Sequence, residues 1–217
     1  KFLDAFTKSV KSLNSDYIVL GEVWEDATNK FSHGGRRRYI LGDQLDSVMN
    51  YPFANAILTF IRYGVAESFM EAVVGICENY PKQALNCLMN HIGTHDTARI
   101  LTSIIYDSID HKPRSIQVNC KLTNEEYNKA KTLLKCATVM QYTLPGFPSV
   151  YYGDEAGLEG YRDPFCRMPY PWGKEESALV EFYRTLGKIR AENRNIFAEG
   201  EFKVDYIDDA LIVYTRS

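Results

Sequence analysis

The chain alternates between short apolar runs and segments in which apolar residues recur at helical spacing. The apolar runs, each a candidate strand, are residues 17–21, 47–51, 88–93 and 148–153. The run 17–21 is continuously apolar, which is typical of a strand buried on both faces, as in parallel sheets. The alternation of the candidate strands with helices predicts parallel strands joined by right-handed crossovers. The pattern therefore predicts an α/β fold built from strand–helix units.

Helical patterns fill most of the chain between these runs. The predicted helices span residues 2–13, 54–62, 66–78, 123–142 and 177–193, and another continues from Arg99. Thr123 followed by Glu126 is typical of a capping box, in which each side chain bonds the backbone N–H group of the other residue. Residues 110–120 show no regular pattern. Two last strands, 200–204 and 210–214, form a predicted hairpin around Asp208 and Asp209.

The carboxyl end of each candidate strand carries further candidate residues, or they follow it directly. They are Glu22, Asn50, Tyr51, His95, Asp96, Asp154 and Glu155. In α/β folds, catalytic and ligand-binding residues lie where the carboxyl ends of the strands meet. These residues are therefore the candidates for an active or binding site. Each has a simpler explanation when taken alone. A Glu at a strand end is usually solvated, Asp96 before Thr97 fits a helix N-cap, and residues 146–155 fit a buried strand with aromatic packing.

Composition narrows the possible functions. The formal net charge of −3 excludes a nucleic-acid binder that depends on excess Lys and Arg. A hydrophobic content of 45% excludes a disordered chain. No uninterrupted apolar stretch approaches the roughly 18 residues of a membrane span, so we expect no membrane partner. No P-loop, GxGxxG or GxSxG motif is present.

The cysteines predict a reducing environment. They are Cys77, Cys87, Cys120, Cys136 and Cys166. Their number is odd and no pair has CxxC spacing, which argues against a disulfide framework and against a structural metal site. We expect reduced, mostly buried thiols and a cytoplasmic location. The chain begins with Lys1 rather than Met and both ends look cut, so the missing signal peptide says little about the whole protein.

Several segments, in this order and at these intervals, resemble the α-amylase family of glycoside hydrolases. They are Gly21-Glu22-Val23-Trp24, the segment 90–97 and the segment 146–155. Two more segments are similar to the neopullulanase and cyclomaltodextrinase branch of that family: residues 42–53 and Asp163-Pro164-Phe165-Cys166-Arg167. The resemblance covers essentially the whole chain.

The resemblance implies a fold. Residues 1–196 are expected to form the C-terminal half of a (β/α)8 TIM barrel, with strands five to eight, and residues 197–217 the start of a small C-terminal β domain. The family's nucleophilic aspartate belongs to strand four, which would lie before Lys1. We therefore expect no nucleophile in this chain and little or no hydrolysis by the isolated polypeptide. A half-barrel exposes two sheet edges, which predicts a homo-oligomer.

The resemblance also implies site residues. Glu22 matches the general acid/base, and Asp96 matches the third carboxylate, which holds sugar hydroxyls and favours the oxocarbenium-like transition state. The residues that match sugar-binding positions are His95, Trp24, Tyr51, Asp163 and Arg167. For some residues a plain structural role is the alternative. His95 would then be a satisfied structural histidine, and Asp163 with Arg167 a surface ion pair.

The remaining charged and imidazole side chains are expected to be structural. We expect Arg99 to be a charge on a helix face, His91 to point into the core and Arg36 to Arg38 to form a solvated loop. His33 and His111 fall in loops and carry no recognisable role.

The expected activity of the whole protein is retaining hydrolysis of α-1,4-glucosidic bonds in malto-oligosaccharides, cyclodextrins or pullulan. No cofactor and no metal site are expected from these residues, although calcium in the whole protein is left open. Two alternatives are a transglycosylase or sucrose-acting relative, because water and sugar acceptors compete for one intermediate, and a non-catalytic, self-associating half-barrel.

Overall fold

A computed structural model describes residues 2–32, 34–107, 113–119 and 121–217. The helices are α1 (Phe2–Leu13), α2 (Tyr51–Tyr63), α3 (Ala66–Asn79), α4 (Lys82–Asn86), α5 (Ile100–Ile105), α6 (Arg114–Gln117), α7 (Asn124–Thr143), α8 (Ser177–Glu192) and α9 (Arg194–Glu199). The strands are β1 (Leu20–Gly21), β2 (Phe31–Ser32), β3 (Gly35–Arg36), β4 (Ser47–Val48), β5 (Met89–Asn90), β6 (Phe147–Pro148), β7 (Phe202–Asp208) and β8 (Leu211–Arg216).

The predicted parallel strands lie side by side in chain order. β1 pairs with β4 and β5 pairs with β6, both in parallel. A parallel bridge between Met49 and Met89 joins the two pairs. Each strand is short, and the β2–β3 hairpin rather than a helix lies between β1 and β4. The order β1-β4-β5-β6, with helices between β4 and β5 and between β5 and β6, is that of successive units in a (β/α)8 barrel. The predicted fold class, half of a (β/α)8 barrel, is confirmed.

Two buried asparagines hold the strand ends in register. The Asn50 side-chain amide donates to Asn90 Oδ1 at 2.8 Å, and the Asn90 amide donates to the Pro145 carbonyl at 2.8 Å. Both residues are almost fully buried, where an unpaired amide would cost free energy. These bonds align β4, β5 and the segment before β6 where the site residues begin.

The hydrophobic core fills the space between the strands and the helices. Its fully buried members include Val48, Phe53, Ile57, Val73, Leu88, Leu101, Leu134, Leu144 and Leu179. They come from β4, α2, α3, α5, α7 and α8 and from the residues next to β5 and β6. One continuous core therefore supports all four strands from the helix side.

Local chemistry explains where two helices begin. The predicted capping box at the start of α7 is present, because Thr123 Oγ1 accepts from the Glu126 N–H group and the Glu126 carboxylate accepts from the Thr123 N–H group. Helix α2 begins at Tyr51, three residues before its predicted start. The Asn50 side chain caps it by accepting from the Phe53 N–H group at 3.3 Å. Tyr51, predicted as a strand residue, is therefore the first residue of a helix.

The C-terminal hairpin is confirmed and is longer than predicted. β7 and β8 pair antiparallel, with an irregularity between Val204 and Tyr206. The hairpin packs on the helix layer: the Ala66 N–H group donates to the Asp209 carbonyl at 3.0 Å, and the Tyr214 hydroxyl lies 2.6 Å from Thr143 Oγ1. The predicted boundary between residues 196 and 197 falls within α9, and the division into two domains stays a prediction.

Several local expectations are wrong. Residues 152–157 form turns rather than the end of a strand, and Gly153 has a φ of 89°, which favours glycine. A short helix, α6, interrupts the segment that was expected to be irregular. β2 and β3 form a hairpin that was not predicted, and Arg36 lies in it and donates to the Thr28 carbonyl. His33 and His111 lie outside the described residues.

The cysteine prediction holds in part. The described cysteines are free, as expected. However, only Cys166 among them is buried, Cys77 and Cys87 are half-buried and Cys136 is exposed, so the expectation of mostly buried thiols is wrong. Cys120 lies outside the described residues. Within the described part of the chain, no helix has both the length and the apolarity needed to cross a membrane.

Candidate active site

The strand ends bring the predicted site residues together. Glu22 follows β1 directly, Tyr51 opens the helix after β4, and His95 and Asp96 lie in the loop after β5. Because these strands are parallel neighbours, their carboxyl ends point to the same edge of the sheet. Residues far apart in the chain therefore share one small region.

Two carboxylates and an imidazole form the centre of this region. One carboxylate oxygen each of Glu22 and Asp96 and one ring nitrogen of His95 lie within 4.8 Å of one another, and all three side chains are exposed. His95 Nε2 is 3.5 Å from Asp96 Oδ2. An exposed group of this kind is not by itself a metal site, and we assign no ion to it. Its accessible carboxylates are close enough to act on the same bond of a substrate.

Glu22 accepts hydrogen bonds from two aromatic side chains. The Tyr51 hydroxyl donates to Glu22 Oε1 at 3.1 Å, and Trp24 Nε1 donates to the same oxygen at 3.3 Å. The two rings stack with centroids 4.1 Å apart and planes 13° apart. Trp24 is 45% exposed, whereas Tyr51 is 2% exposed. The Trp24 indole thus offers surface to a ligand, and Tyr51 supports it from below.

The layer under Glu22 is buried and uncharged. Burial raises the pKa of Tyr51 to about 12, and the nearby Glu22 and Asp96 charges add to that effect. The His91 ring packs edge-on against the Tyr51 ring at a centroid distance of 4.4 Å. Burial lowers the pKa of His91 to about 4. At neutral pH, Tyr51 is therefore a neutral hydrogen-bond donor and His91 a neutral imidazole. His91 is 2% exposed, which confirms that it points into the core.

Arg167 connects the second loop to the same centre. Its Nη2 donates to Asp96 Oδ1 at 3.2 Å and its Nε donates to the His95 carbonyl at 3.1 Å. The same Nε lies 2.7 Å from Asp163 Oδ1. Asp163 and Arg167 do form an ion pair, and that pair reaches the Asp96 carboxylate. The residues that match the family's acid/base, third carboxylate and sugar-binding positions thus belong to one connected group.

The sequence reasoning missed a buried ion pair beside the site. Arg99, expected to be a charge on a helix face, is 1% exposed, and its Nη1 lies 3.1 Å from Asp154 Oδ1. Burial raises the pKa of Asp154 to about 7, against the opposing effect of the Arg99 guanidinium. The sequence did offer a signal of this burial. Arg99 lies between Ala98 and Ile100, in an apolar run where a solvated charge does not fit.

Comparisons with known proteins show the family to which this chain is similar. Residues 1–197 match the family profile "Alpha amylase, catalytic domain". The chain is 36% identical over 193 residues to neopullulanase 2 of Thermoactinomyces vulgaris, covering 87% of this chain and 28% of that protein. It is 32% identical over 234 residues to an amylopullulanase of Thermoanaerobacterium thermosulfurigenes, covering 99% of this chain and 11% of that protein. The chain thus spans less than a third of either relative.

The fold of the chain also resembles that of solved structures. The cyclic α-maltosyl-(1→6)-maltose hydrolase from Arthrobacter globiformis superimposes with a TM-score of 0.79 at 26% identity. The superposition covers 100% of this chain and 42% of that protein. Its extent shows that the whole described arrangement of strands and helices recurs there.

Proposed function

This chain belongs to the α-amylase family, in the branch that includes neopullulanases and cyclomaltodextrinases, and on that premise we propose that the whole protein is a retaining α-glucan hydrolase. Its substrates would be α-1,4-linked malto-oligosaccharides, cyclodextrins or pullulan. The observation that carries the proposal is the approach of the Glu22 and Asp96 carboxylates within 4.8 Å at the strand ends. At this separation Glu22 can serve the glycosidic oxygen while Asp96 reaches hydroxyls of the same sugar, and the retaining pair itself would be Glu22 with the attacking carboxylate.

Glu22 is proposed as the general acid/base. Such a residue gives a proton to the leaving oxygen and later takes one from water. Trp24 and Tyr51 fix its carboxyl group from one side, which leaves the other side free for the glycosidic oxygen. Asp96 is proposed to hold sugar hydroxyls and to stabilise the oxocarbenium-like transition state without attacking.

The attacking carboxylate is proposed to come from outside these 217 residues. The family resemblance matches no residue of this chain to it. His95 and Arg167 flank Asp96 and are proposed to bind sugar hydroxyls, together with Asp163. The half-exposed Trp24 indole is proposed to stack on a sugar ring. Tyr51 contributes from below, by holding Glu22 and Trp24.

The test is hydrolysis of maltotriose, β-cyclodextrin and pullulan by the natural protein at its natural length. We expect the α-anomer as first product, followed by NMR, and a loss of about 10²–10⁴-fold in kcat for Glu22→Gln. The matched control is Glu25→Gln, because Glu25 lies in the same loop but pairs with Lys30. Full activity in Glu22→Gln, or inversion of the anomer, would refute the proposal.

The isolated chain separates two mechanisms. If the nucleophile lies elsewhere, the 217-residue chain hydrolyses none of these substrates. Turnover by the pure chain that Asp96→Asn abolishes would instead make Asp96 the attacking group, since its distance from Glu22 also fits a retaining pair.

Transglycosylation is the second candidate activity. The exposed Trp24 indole beside Glu22 is a surface on which a sugar acceptor can stack and compete with water. Longer oligosaccharides formed from maltotriose at high concentration would support it. A Trp24→Ala variant would then make fewer of them relative to the hydrolysis products.

A further inference from the structure

Arg99 joins three segments that are separate in the sequence. Its Nε donates to the Cys166 carbonyl at 2.7 Å, and its Nη1 donates to Asp154 Oδ1 at 3.1 Å and to the Tyr152 carbonyl. Its own backbone N–H group donates to the Gly160 carbonyl at 2.9 Å. The guanidinium thus ties the start of α5 to the turns after β6 and to the loop that carries Arg167.

The surroundings of Arg99 suit a planar guanidinium and no other cation. Its central carbon lies 4.3 Å from the ring centroid of Tyr151 and 4.7 Å from that of Tyr152. Asp154 is equally confined, because a Cβ atom at Gly93 would overlap its Oδ2. A Lys side chain has neither the fork nor the stacking surface of Arg, so it would not reproduce these contacts.

A short path leads from Arg99 to the carboxylate centre. Cys166, whose carbonyl Arg99 holds, directly precedes Arg167 in the chain. The Cys166 thiol donates to the His95 carbonyl at 3.2 Å, and Arg167 Nε donates to the same carbonyl at 3.1 Å. Arg167 Nη2 then reaches Asp96 Oδ1 at 3.2 Å. The loop of Asp96 and the loop of Arg167 are therefore fastened to each other through atoms that Arg99 fixes.

We propose that Arg99 is a positioning residue: by holding the Cys166 carbonyl and Asp154 it sets the place of the Arg167 guanidinium and, through it, the orientation of the Asp96 carboxylate. Arg99 itself is buried and touches no substrate. Its effect on turnover rests on the proposed function, whereas its effect on the two loops does not. The two effects are measured separately below.

The variant is Arg99→Lys in the natural protein, with Arg190→Lys as the matched control. Arg190 also donates to backbone carbonyls, those of Tyr142 and Gly146, and lies over the ring of Phe197, but it contacts none of the site residues. For Arg99→Lys we expect kcat on maltotriose to fall about tenfold or more while KM changes by less than about threefold. For Arg190→Lys we expect both constants to stay within about twofold.

A double variant tests whether Arg99 acts on the site through Arg167. If Arg99 acts through Arg167, then adding Arg99→Lys to Arg167→Lys lowers kcat by less than about twofold further, because the two changes break one connection. If the losses in kcat of the two single variants add up in the double variant, Arg99 does not act through Arg167. An Arg99→Lys protein that melts as a folded protein and keeps kcat within about twofold of the wild type would overturn the proposal.

Hydrogen exchange gives a readout that needs no activity. The N–H groups of Thr94 and Arg167 bond to Thr97 Oγ1 and to the Pro164 carbonyl, and we expect both to exchange about tenfold faster in Arg99→Lys but not in Arg190→Lys. Amides of α7 should exchange at the wild-type rate. Unchanged exchange at both sites overturns the proposal.

The experiments distinguish failure of the proposed hydrolase function from failure of the proposed role of Arg99. A natural protein that hydrolyses no α-glucan would refute the proposed function, and exchange at Thr94 and Arg167 would still decide the role of Arg99. If Arg99→Lys does not fold, Asp154→Asn removes one partner of the same guanidinium. In that variant too, wild-type exchange in both loops would overturn the proposal.

Discussion

The Tyr51 hydroxyl donates a hydrogen bond to Glu22 Oε1 from beneath the site, at 3.1 Å. The Tyr51 ring lies between Trp24 and His91 and is closed off from solvent. A side chain expected to bind sugar is thus placed to hold the carboxylate. A hydrogen bond to a charged group contributes more free energy than one between neutral groups. Tyr51 therefore stabilises the Glu22 carboxylate in addition to packing between Trp24 and His91.

Tyr51→Phe should therefore lower turnover while leaving the fold intact. The variant keeps the ring between Trp24 and His91 and removes only the donor to Glu22. Loss of about 1.5 kcal/mol corresponds to about a tenfold lower kcat on maltotriose. Tyr127→Phe is the control, since its hydroxyl donates to the Gly157 carbonyl at 3.0 Å, away from Glu22. A kcat for Tyr51→Phe within about twofold of that for Tyr127→Phe would contradict the prediction.

His91 should make the protein less stable in acid. The unfolded chain takes up a proton on this imidazole as the pH falls through 6.5, but the folded protein does so only near pH 4. Between these pH values the unfolded state binds more protons than the folded state. The free energy of unfolding therefore decreases as the pH is lowered. The loss due to His91 approaches about 3 kcal/mol at pH 4 and below.

Urea unfolding of the wild type and His91→Gln at pH 6.5 and pH 4 measures this loss as a difference. The difference is needed because Asp154, whose pKa is raised to about 7, acts in the opposite direction over the same range. His91→Gln should lose less stability than the wild type on acidification. Equal losses in the two proteins would show that His91 is not the cause.

The 217-residue chain should self-associate when it is purified alone. Within the described ranges, no strand pairs with the outer edges of β1 and β6. Apolar side chains lie exposed beside the β1 edge: Leu13 is 80% exposed, and Tyr17 and Ile18 are more than half exposed. Unpaired edges next to apolar surface favour pairing with another copy.

Ile18→Lys should weaken that association, because a charge beside a sheet edge opposes pairing. Sedimentation velocity of the isolated chain at several concentrations would show a shift towards monomer. Ile189→Lys places the same charge on an exposed Ile of α8, and we expect it to leave the association unchanged. A wild-type chain that remains monomeric at all concentrations would contradict the predicted homo-oligomer.

The arrangement of β1, β4, β5 and β6 was predictable because short apolar-rich runs recur along the chain, with helical spacing between the last three of them. Helix α7 was predictable almost to the residue, since Thr123 and Glu126 carry a local signal that no tertiary contact overrides. The start of α2 was not, because Tyr51 is apolar enough to extend a strand and only the cap from Asn50 decides the matter. β2 and β3 were missed because each is two residues long and no apolar pattern marks them.

The candidate site was predicted as a set of residues and not as a geometry. Strand ends and family motifs single out Glu22 and Asp96, but no sequence pattern shows that Tyr51 lies under Glu22 rather than beside the sugar. The roles of these residues remain predictions for the experiments above. Arg99 was misjudged for a physical reason: its apolar neighbours hint at burial, but its partners lie more than fifty residues away, and spacing along the chain does not identify them.

Gly93 and Asp154 occupy one small volume, since any side chain at position 93 would overlap the Asp154 carboxylate. Divergence at the two positions is therefore coupled. An alanine or serine at position 93 would be tolerated only after residue 154 had become smaller or had turned away, and Arg99 would then need another anion. Homologous proteins should accordingly change these three positions together or leave all of them as they are.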